Sequence, residues 1–269
     1  MPKTIISAEP DSLASYLNKI WQHKSLIVTL AKRDLKIKYA QTTLGLAWTV
    51  LQPLVAVIVY TLFFSVLMDF ETEYPYVLFV LSGILLWGLF NYIFSQGSAC
   101  LYQNQELIKK LSFPKIILPL SKAIGGLVEF AITSLIFVVL FLYYEQVISI
   151  KLLIIPLLVA LLSLFSLGLA LLLNAFTLKN RDLNHIIPFF INFGIWLTPV
   201  FYPVSILPEG FKNLIYINPI AAIIQLFRWS MFNDTLNPSV FIGLCLSFLI
   251  FILGVFSFKK MEDKIIDLL

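Results

Sequence analysis

The sequence predicts an all-α polytopic membrane protein, on three observations. Of its 269 residues, 59% are hydrophobic and only 13% charged, with a mean hydropathy of +0.92. A soluble domain carries about 25% charged residues and has no core that could bury so much apolar surface. The apolar residues gather into six nearly uncharged runs, each long enough for the about 20 residues at 1.5 Å rise that cross the hydrocarbon. Finally, sixteen of the nineteen Lys and Arg fall on one side when those runs are threaded through a membrane. The positive-inside rule then places both termini in the cytoplasm.

In chain order, the segment 1–43 precedes the first run. Its start, MPKTIISAEPDS, has neither an apolar core nor a small-residue cleavage site. The first span is therefore expected to insert as an uncleaved anchor. Asp11 or Ser12 can cap a helix after Pro10, and Leu13, Tyr16, Leu17, Ile20 and Trp21 then share one helical face opposite Asn18, Lys19 and Gln22. This helix is too short to span, and its pattern fits one lying on membrane lipids. An amphipathic helix packed on a neighbour is the alternative. The stretch from Ser25 to Tyr39 carries Lys32, Arg33, Lys36 and Lys38 against Asp34. Beside a first span such a run marks the cytoplasmic side rather than nucleic-acid binding.

The spans are expected at Leu44–Met68, Tyr74–Leu101, Ala123–Tyr144, Leu152–Leu178, Ile186–Leu207 and Leu236–Phe258, together a membrane domain over 44–258, with a cytoplasmic tail at 259–269. Lys3, Lys19, Lys24, Lys179, Arg181, Lys259, Lys260 and Lys264 join the inner basic set; Lys151, Lys212 and Arg228 remain outside, and the first outer loop is acidic, with Asp69, Glu71 and Glu73. Between the fifth and sixth spans, at 208–237, Asn213–Phe227 is uncharged but only 15 residues long and is broken at Asn218-Pro219. Two short helices dipping in from the outer face satisfy this, because backbone at that depth needs protein cover or a wet cavity. The fifth run holds Pro188, Pro199 and Pro203, each removing a backbone donor. It reads equally as a pathway wall or as an ordinary kinked helix.

The long polar interruption is 101–122, with Lys109, Lys110, Lys115 and Lys122 against Glu106, a helix-like opening and a break at Phe113-Pro114. The sequence contains no G-x-x-x-x-G-K-[ST] and no H-E-x-x-H, and its two histidines, His23 and His185, lie in different segments. With no visible means of using chemical energy, the chain needs another protein to drive it, and this loop is the expected place of contact. Glu129 is the ionisable residue within a run; Lys122, seven positions earlier, is a candidate partner for what reads first as a structural glutamate near the interface. Cys100 and Cys245 sit in apolar runs near opposite faces, as expected of buried thiols rather than a disulfide or metal pair. The 40 aromatics include Tyr60, Trp87, Tyr92 and Trp196 within runs, where they serve a core or, because aromatic faces pack on sugar rings, a carbohydrate path.

Three stretches together resemble the membrane subunit of the type-2 ABC exporters of lipid-linked polysaccharide, which handle O-antigen, capsule and teichoic acid. The first is Arg33-Asp34-Leu35-Lys36-Ile37-Lys38-Tyr39 with Leu44-Gly45, Trp48 and Gln52-Pro53. The second is Asn104, Leu107-Ile108-Lys109-Lys110, Phe113-Pro114 and Leu118-Pro119-Leu120. The third is Arg181-Asp182-Leu183, His185, Pro188, Thr198-Pro199-Val200, Tyr202-Pro203, Asn218-Pro219 and Arg228. The resemblance implies a homodimer on two copies of a separate ATPase, which holds the ATP and Mg; this chain itself carries no cofactor. It implies ATPase coupling through Asn104, Glu106, Leu107, Lys109, Lys110, Phe113 and Pro114. On this view Arg33, Lys36 and Lys38 receive an undecaprenyl diphosphate headgroup. A channel and outer gate would draw on Trp48, Tyr60, Trp87, Trp196, Tyr202, Tyr216, Asn218 and Arg228. A lipid or drug exporter of the same class is the nearest alternative. An ion-coupled carrier predicts mid-membrane ionisable residues and internal repeats, and an intramembrane transferase predicts clustered Asp, Glu or His; neither pattern is present.

Overall fold

A computed structural model describes residues 13–40, 42–70, 72–179, 182–262 and 265. The expected caps at Asp11 and Ser12, and Lys3, Glu71, Arg181 and Lys264, lie outside the described residues. Among the described residues the regular elements are helices: α1 (Leu13–Gln22), α2 (Lys24–Tyr39), α3 (Ala47–Tyr60), α4 (Tyr76–Gln103), α5 (Gln105–Lys110), α6 (Ile117–Tyr143), α7 (Ile155–Lys179), α8 (Leu183–Gly194), α9 (Glu209–Leu214), α10 (Pro219–Phe232) and α11 (Val240–Glu262). Among the described residues, five helices are long and apolar enough to cross a membrane: Ala47–Leu67, Tyr76–Gln103, Ile117–Tyr143, Ile150–Asn174 and Val240–Glu262. These correspond to the first, second, third, fourth and sixth expected spans.

The fifth run departs from a single span. Its helix, α8, stops at Gly194, and residues 195–202 continue in tight turns. Pro199 and Pro203 explain the stop, since neither can supply the amide a continuing helix needs. The run still reaches the far end of the bundle, where the Phe201 carbonyl accepts a 2.5 Å hydrogen bond from Tyr76 Oη at the start of α4. Gly83 allows this approach: a Cβ there would stand 2.9 Å from the Val200 carbonyl oxygen.

The 208–237 segment forms the expected pair. The helical stretches Glu209–Ile217 and Pro219–Phe232 meet at 102°. Asn218 makes the corner: its Oδ1 accepts from the Ile220 amide at 3.0 Å and its Nδ2 donates to Thr198 Oγ1 at 2.9 Å, with Pro219 at the first helical position. At the other end of α10, Phe232 stacks on Tyr74 with ring centroids 3.9 Å apart. A bend this sharp has the form of a re-entrant feature.

The core lies around α4, which is 72% buried along its apolar window and packs on α6 and α7. The α7 and α11 helices touch backbone to backbone, because a Cβ on Gly254 would meet the Gly168 carbonyl oxygen at 2.3 Å. By contrast only 6% of the α3 window is buried. On α8, Phe189, Phe190 and Phe193 are also exposed. The helix α3 changes to π-helical winding over Thr61–Leu67, a local unwinding that often accompanies function. Of the two thiols, Cys100 is buried as expected, but Cys245 is exposed; its position on α11 turns away from α7 and α10, so apolar sequence context alone did not signify burial there.

Candidate functional site

The basic end of the bundle is organised by α2. Its apolar side, Ile27, Leu30 and Ala31, is buried, which fixes the helix against the core and turns its charged C-terminal half toward α6. There Asp34 is a hub: its Oδ1 accepts from Arg33 Nε at 2.9 Å and Nη2 at 2.7 Å, and its Oδ2 from Lys122 Nζ at 2.7 Å. Arg33 Nη2 also donates to Asn104 Oδ1 at 2.9 Å. The Lys122 and Asp34 side chains are only 7% and 14% exposed, so this pair is held largely out of water.

Glu129 is claimed by α2 as well. Its Oε1 accepts from Lys38 Nζ at 2.6 Å and from Tyr39 Oη at 2.7 Å. Tyr39 Oη and Thr49 Oγ1 are 2.6 Å apart, which links the start of α3 to the same cluster. This corrects the expected Lys122–Glu129 pairing. Seven residues of helix separate the two by about 10 Å along the axis, and α2 brings a nearer partner to each. Burial, opposed by the Thr49 hydroxyl and reinforced by Glu129, pushes the Tyr39 phenol up to about 12. It stays a donor at any physiological pH.

Two cavities meet at this cluster. One, of about 390 Å³, is lined by Arg33, Asp34, Ile37, Lys38, Gln103, Asn104 and Lys122, with Tyr92 and Gln96 at its upper edge. The other, of about 710 Å³, climbs between α3, α4 and α6 past Trp48, Gln52, Trp87, Asn91 and Glu129. Lys38, Tyr92 and Gln96 line both. Amides and aromatic faces side by side suit a ligand with hydroxyls along its edges and C–H groups on its faces. Among the described residues no cluster of His, Cys, Asp or Glu could hold a metal ion. The sequence reading gave no role to Asn91, Gln96 or Thr49. A signal existed for two of them: Gly88, Asn91, Tyr92, Ser95 and Gln96 repeat at helical spacing as a polar stripe along the apolar α4.

Of the other expected residues, Lys36 is exposed on α2, outside both cavities. In the interruption before α6, Asn104 is the corner between α4 and α5, with its Nδ2 on the Cys100 carbonyl at 2.8 Å. Glu106, Lys109 and Lys110 are exposed, Leu107 and Pro114 half-buried, and Ile108 and Phe113 buried. So α5 is pinned by Ile108 and Phe113 and offers Glu106, Lys109, Lys110 and Leu111 outward. The helix α6 begins at Ile117, earlier than expected, and shortens the loop. The Lys115 amide donates to Glu262 Oε1 of α11, whose Oε2 accepts from Tyr16 Oη of α1 at 2.5 Å. Burial lowers the Lys115 ammonium, with Glu262 opposing.

At the opposite end Arg228 is 1% exposed. It donates to Ser82 Oγ (3.1 Å) and to the carbonyls of Pro199 (2.8 Å), Phe79 (3.1 Å) and Val200 (3.0 Å), and lies 3.6 Å over the Phe79 ring. It therefore satisfies carbonyls that the broken fifth run leaves without helix partners. Tyr216 is buried and Tyr202 half-buried. Tyr60 stacks on Phe201 at 3.8 Å, with the exposed Trp196 edge-on to it at 6.3 Å.

Long apolar helices, a re-entrant pair at one face, a basic cluster at the other and a polar cavity between are the parts of a polytopic membrane protein whose cavity opens beside its basic end. The chain belongs to the ABC-2 type transporter family, whose pattern it matches over residues 25–232, and is a multi-pass inner-membrane protein. It is 29% identical to the O-antigen export system permease protein RfbA of Myxococcus xanthus over 215 residues, 79% of this chain and 82% of that one. Two Klebsiella pneumoniae proteins of the same name are 27% identical over 250 residues and 26% over 246, each match covering 91% of this chain and 95% of the relative.

Proposed function

We propose that the chain is the transmembrane half of an ATP-driven exporter that carries an undecaprenyl-diphosphate-linked, O-antigen-like polysaccharide outward across the inner membrane. The observation that carries this reading is the adjoining pair of cavities. The lower offers three cations, Arg33, Lys38 and Lys122, against one carboxylate, Asp34. That surplus suits an anionic diphosphate. The upper offers Trp48, Trp87, Gln52 and Asn91, which suit sugar rings held weakly enough to slide. The basic end faces the cytoplasm on the charge rule. Exposed Glu106, Lys109 and Lys110 on α5 are the contact for the ATPase. The little-buried α3 and the exposed aromatic face of α8 meet their counterparts in a second copy, which puts the wall of the path at the two-fold interface.

The test is reconstitution of this chain with its ATPase in proteoliposomes loaded with lipid-linked glycan on the basic-end side. ATP-dependent appearance of glycan on the other side is expected. Transport without nucleotide, driven by an ion gradient, overturns the reading.

A further inference from the structure

Three side chains, Lys38, Tyr92 and Gln96, line both cavities, and only Lys38 carries a charge. Lys38 Nζ is 2.6 Å from Glu129 Oε1 and 4.9 Å from the Tyr92 ring centroid. In this position it stands where the two cavities meet, beside Tyr92 and Gln96. The upper cavity is internally balanced, one cation (Lys38) against one carboxylate (Glu129). With Lys38 committed to Glu129, the lower still holds two cations, Arg33 and Lys122, against one carboxylate, Asp34. An anion entering the lower cavity therefore competes with Glu129 for Lys38, and it needs no new cation to do so. The Lys38 side chain is 48% exposed against 16% for Glu129, so the lysine is the member free to move. The carboxylate is held in place by its second bond, from Tyr39 Oη at 2.7 Å, and Tyr39 is itself tied to Thr49 at the start of α3.

We propose that Lys38 is a movable partition between the two cavities, held shut by Glu129 and opened when a phosphate or diphosphate headgroup in the lower cavity takes over its ammonium. This rests on the export reading above and adds to it the device that lets glycan follow the headgroup. Arg33 and Lys122 remain bound to Asp34 and mark the resting place of the anion. Lys38 alone changes partners.

The test uses the full chain in lipid nanodiscs, with Cys245→Ser to remove the exposed thiol and Asn91→Cys as a reporter in the upper cavity. Undecaprenyl diphosphate and inorganic pyrophosphate are the probes. Binding is measured directly, and the reporter is labelled with a water-soluble maleimide. The parent is expected to label slowly and to speed up on adding probe. A response to pyrophosphate means the headgroup suffices, and a response to the lipid alone means the chain is also needed; either supports the partition. Glu129→Gln preserves size and the acceptor for Tyr39. It should label without probe and bind probe about tenfold more tightly, because the competing charge is gone. Lys38→Gln should label without probe and bind at least tenfold more weakly, and this keeps the test decisive if the first variant folds poorly. If the parent binds probe but neither variant changes labelling, the partition is wrong and the export reading stands. If the parent binds neither probe, both fall.

Discussion

Replacing Arg228 with Met removes four hydrogen bonds from the most deeply buried cation of the outer end. Two of the acceptors have other partners: Ser82 Oγ donates to the Phe79 carbonyl at 2.7 Å, so neither group is stranded. The Pro199 and Val200 carbonyls are different. They lie in the turns after α8, and among the described residues no other backbone group bonds to them. Leaving a buried acceptor unpaired costs about 1–3 kcal/mol, so the two together cost about 2–6 kcal/mol. Loss of the stacking on Phe79 adds to this, and relief from burying a guanidinium subtracts. The expected net loss is about 2–5 kcal/mol, roughly 4–20 °C in Tm at about 2–4 °C per kcal/mol. Arg228→Lys keeps the charge but not the planar fork, and should fall between the two. The assay is thermal unfolding of the detergent-solubilised full chain, followed by loss of the monodisperse peak. A Tm for Arg228→Met within about 2 °C of the parent refutes the claim that this residue holds the broken fifth run.

Gly254→Ala should lower stability by about 1–3 kcal/mol in the same assay, because its methyl would strike the Gly168 backbone. Gly88→Ala, with nothing within 4 Å of the added carbon, should be neutral or raise stability by about 0.5–1 kcal/mol. Changing Glu106, Lys109 and Lys110 together to Ala should leave stability within about 1 kcal/mol of the parent, since the one ion pair among them is exposed at both ends. The same triple variant should lose export and ATPase binding; normal export with ATPase bound would count against α5 as the coupling element. In the detergent-solubilised chain, a membrane-permeant maleimide should modify Cys245, which lies on the outside of the bundle, and spare the buried Cys100 until the chain is denatured; early reaction of Cys100 would mean that α4 is less well packed than described.

The sequence was legible wherever local chemistry decides structure. Five spans follow from apolar length alone, and the corner at Asn218-Pro219 from the pairing of a side-chain cap with an N-terminal proline. The fifth run shows the limit. Its prolines announce a disturbance, yet whether a proline kinks a helix or ends it depends on what donates to the freed carbonyls, and Arg228 lies far along the chain. The same holds at the basic end. Lys122 and Glu129 lie on one helix, so a sequence reading pairs them. The structure brings in α2 from some ninety residues away, and Asp34 and Lys38 divide them. Long-range ion pairing leaves no periodic trace, whereas the amide stripe on α4 did leave one.

Glu262 joins the last long helix to the first through Tyr16, and to the segment before α6 through the Lys115 amide. One carboxylate thus clasps three segments that lie far apart in the chain, so a displacement of the stretch between α5 and α6 is shared with α1 and α11 rather than passed to α6 alone.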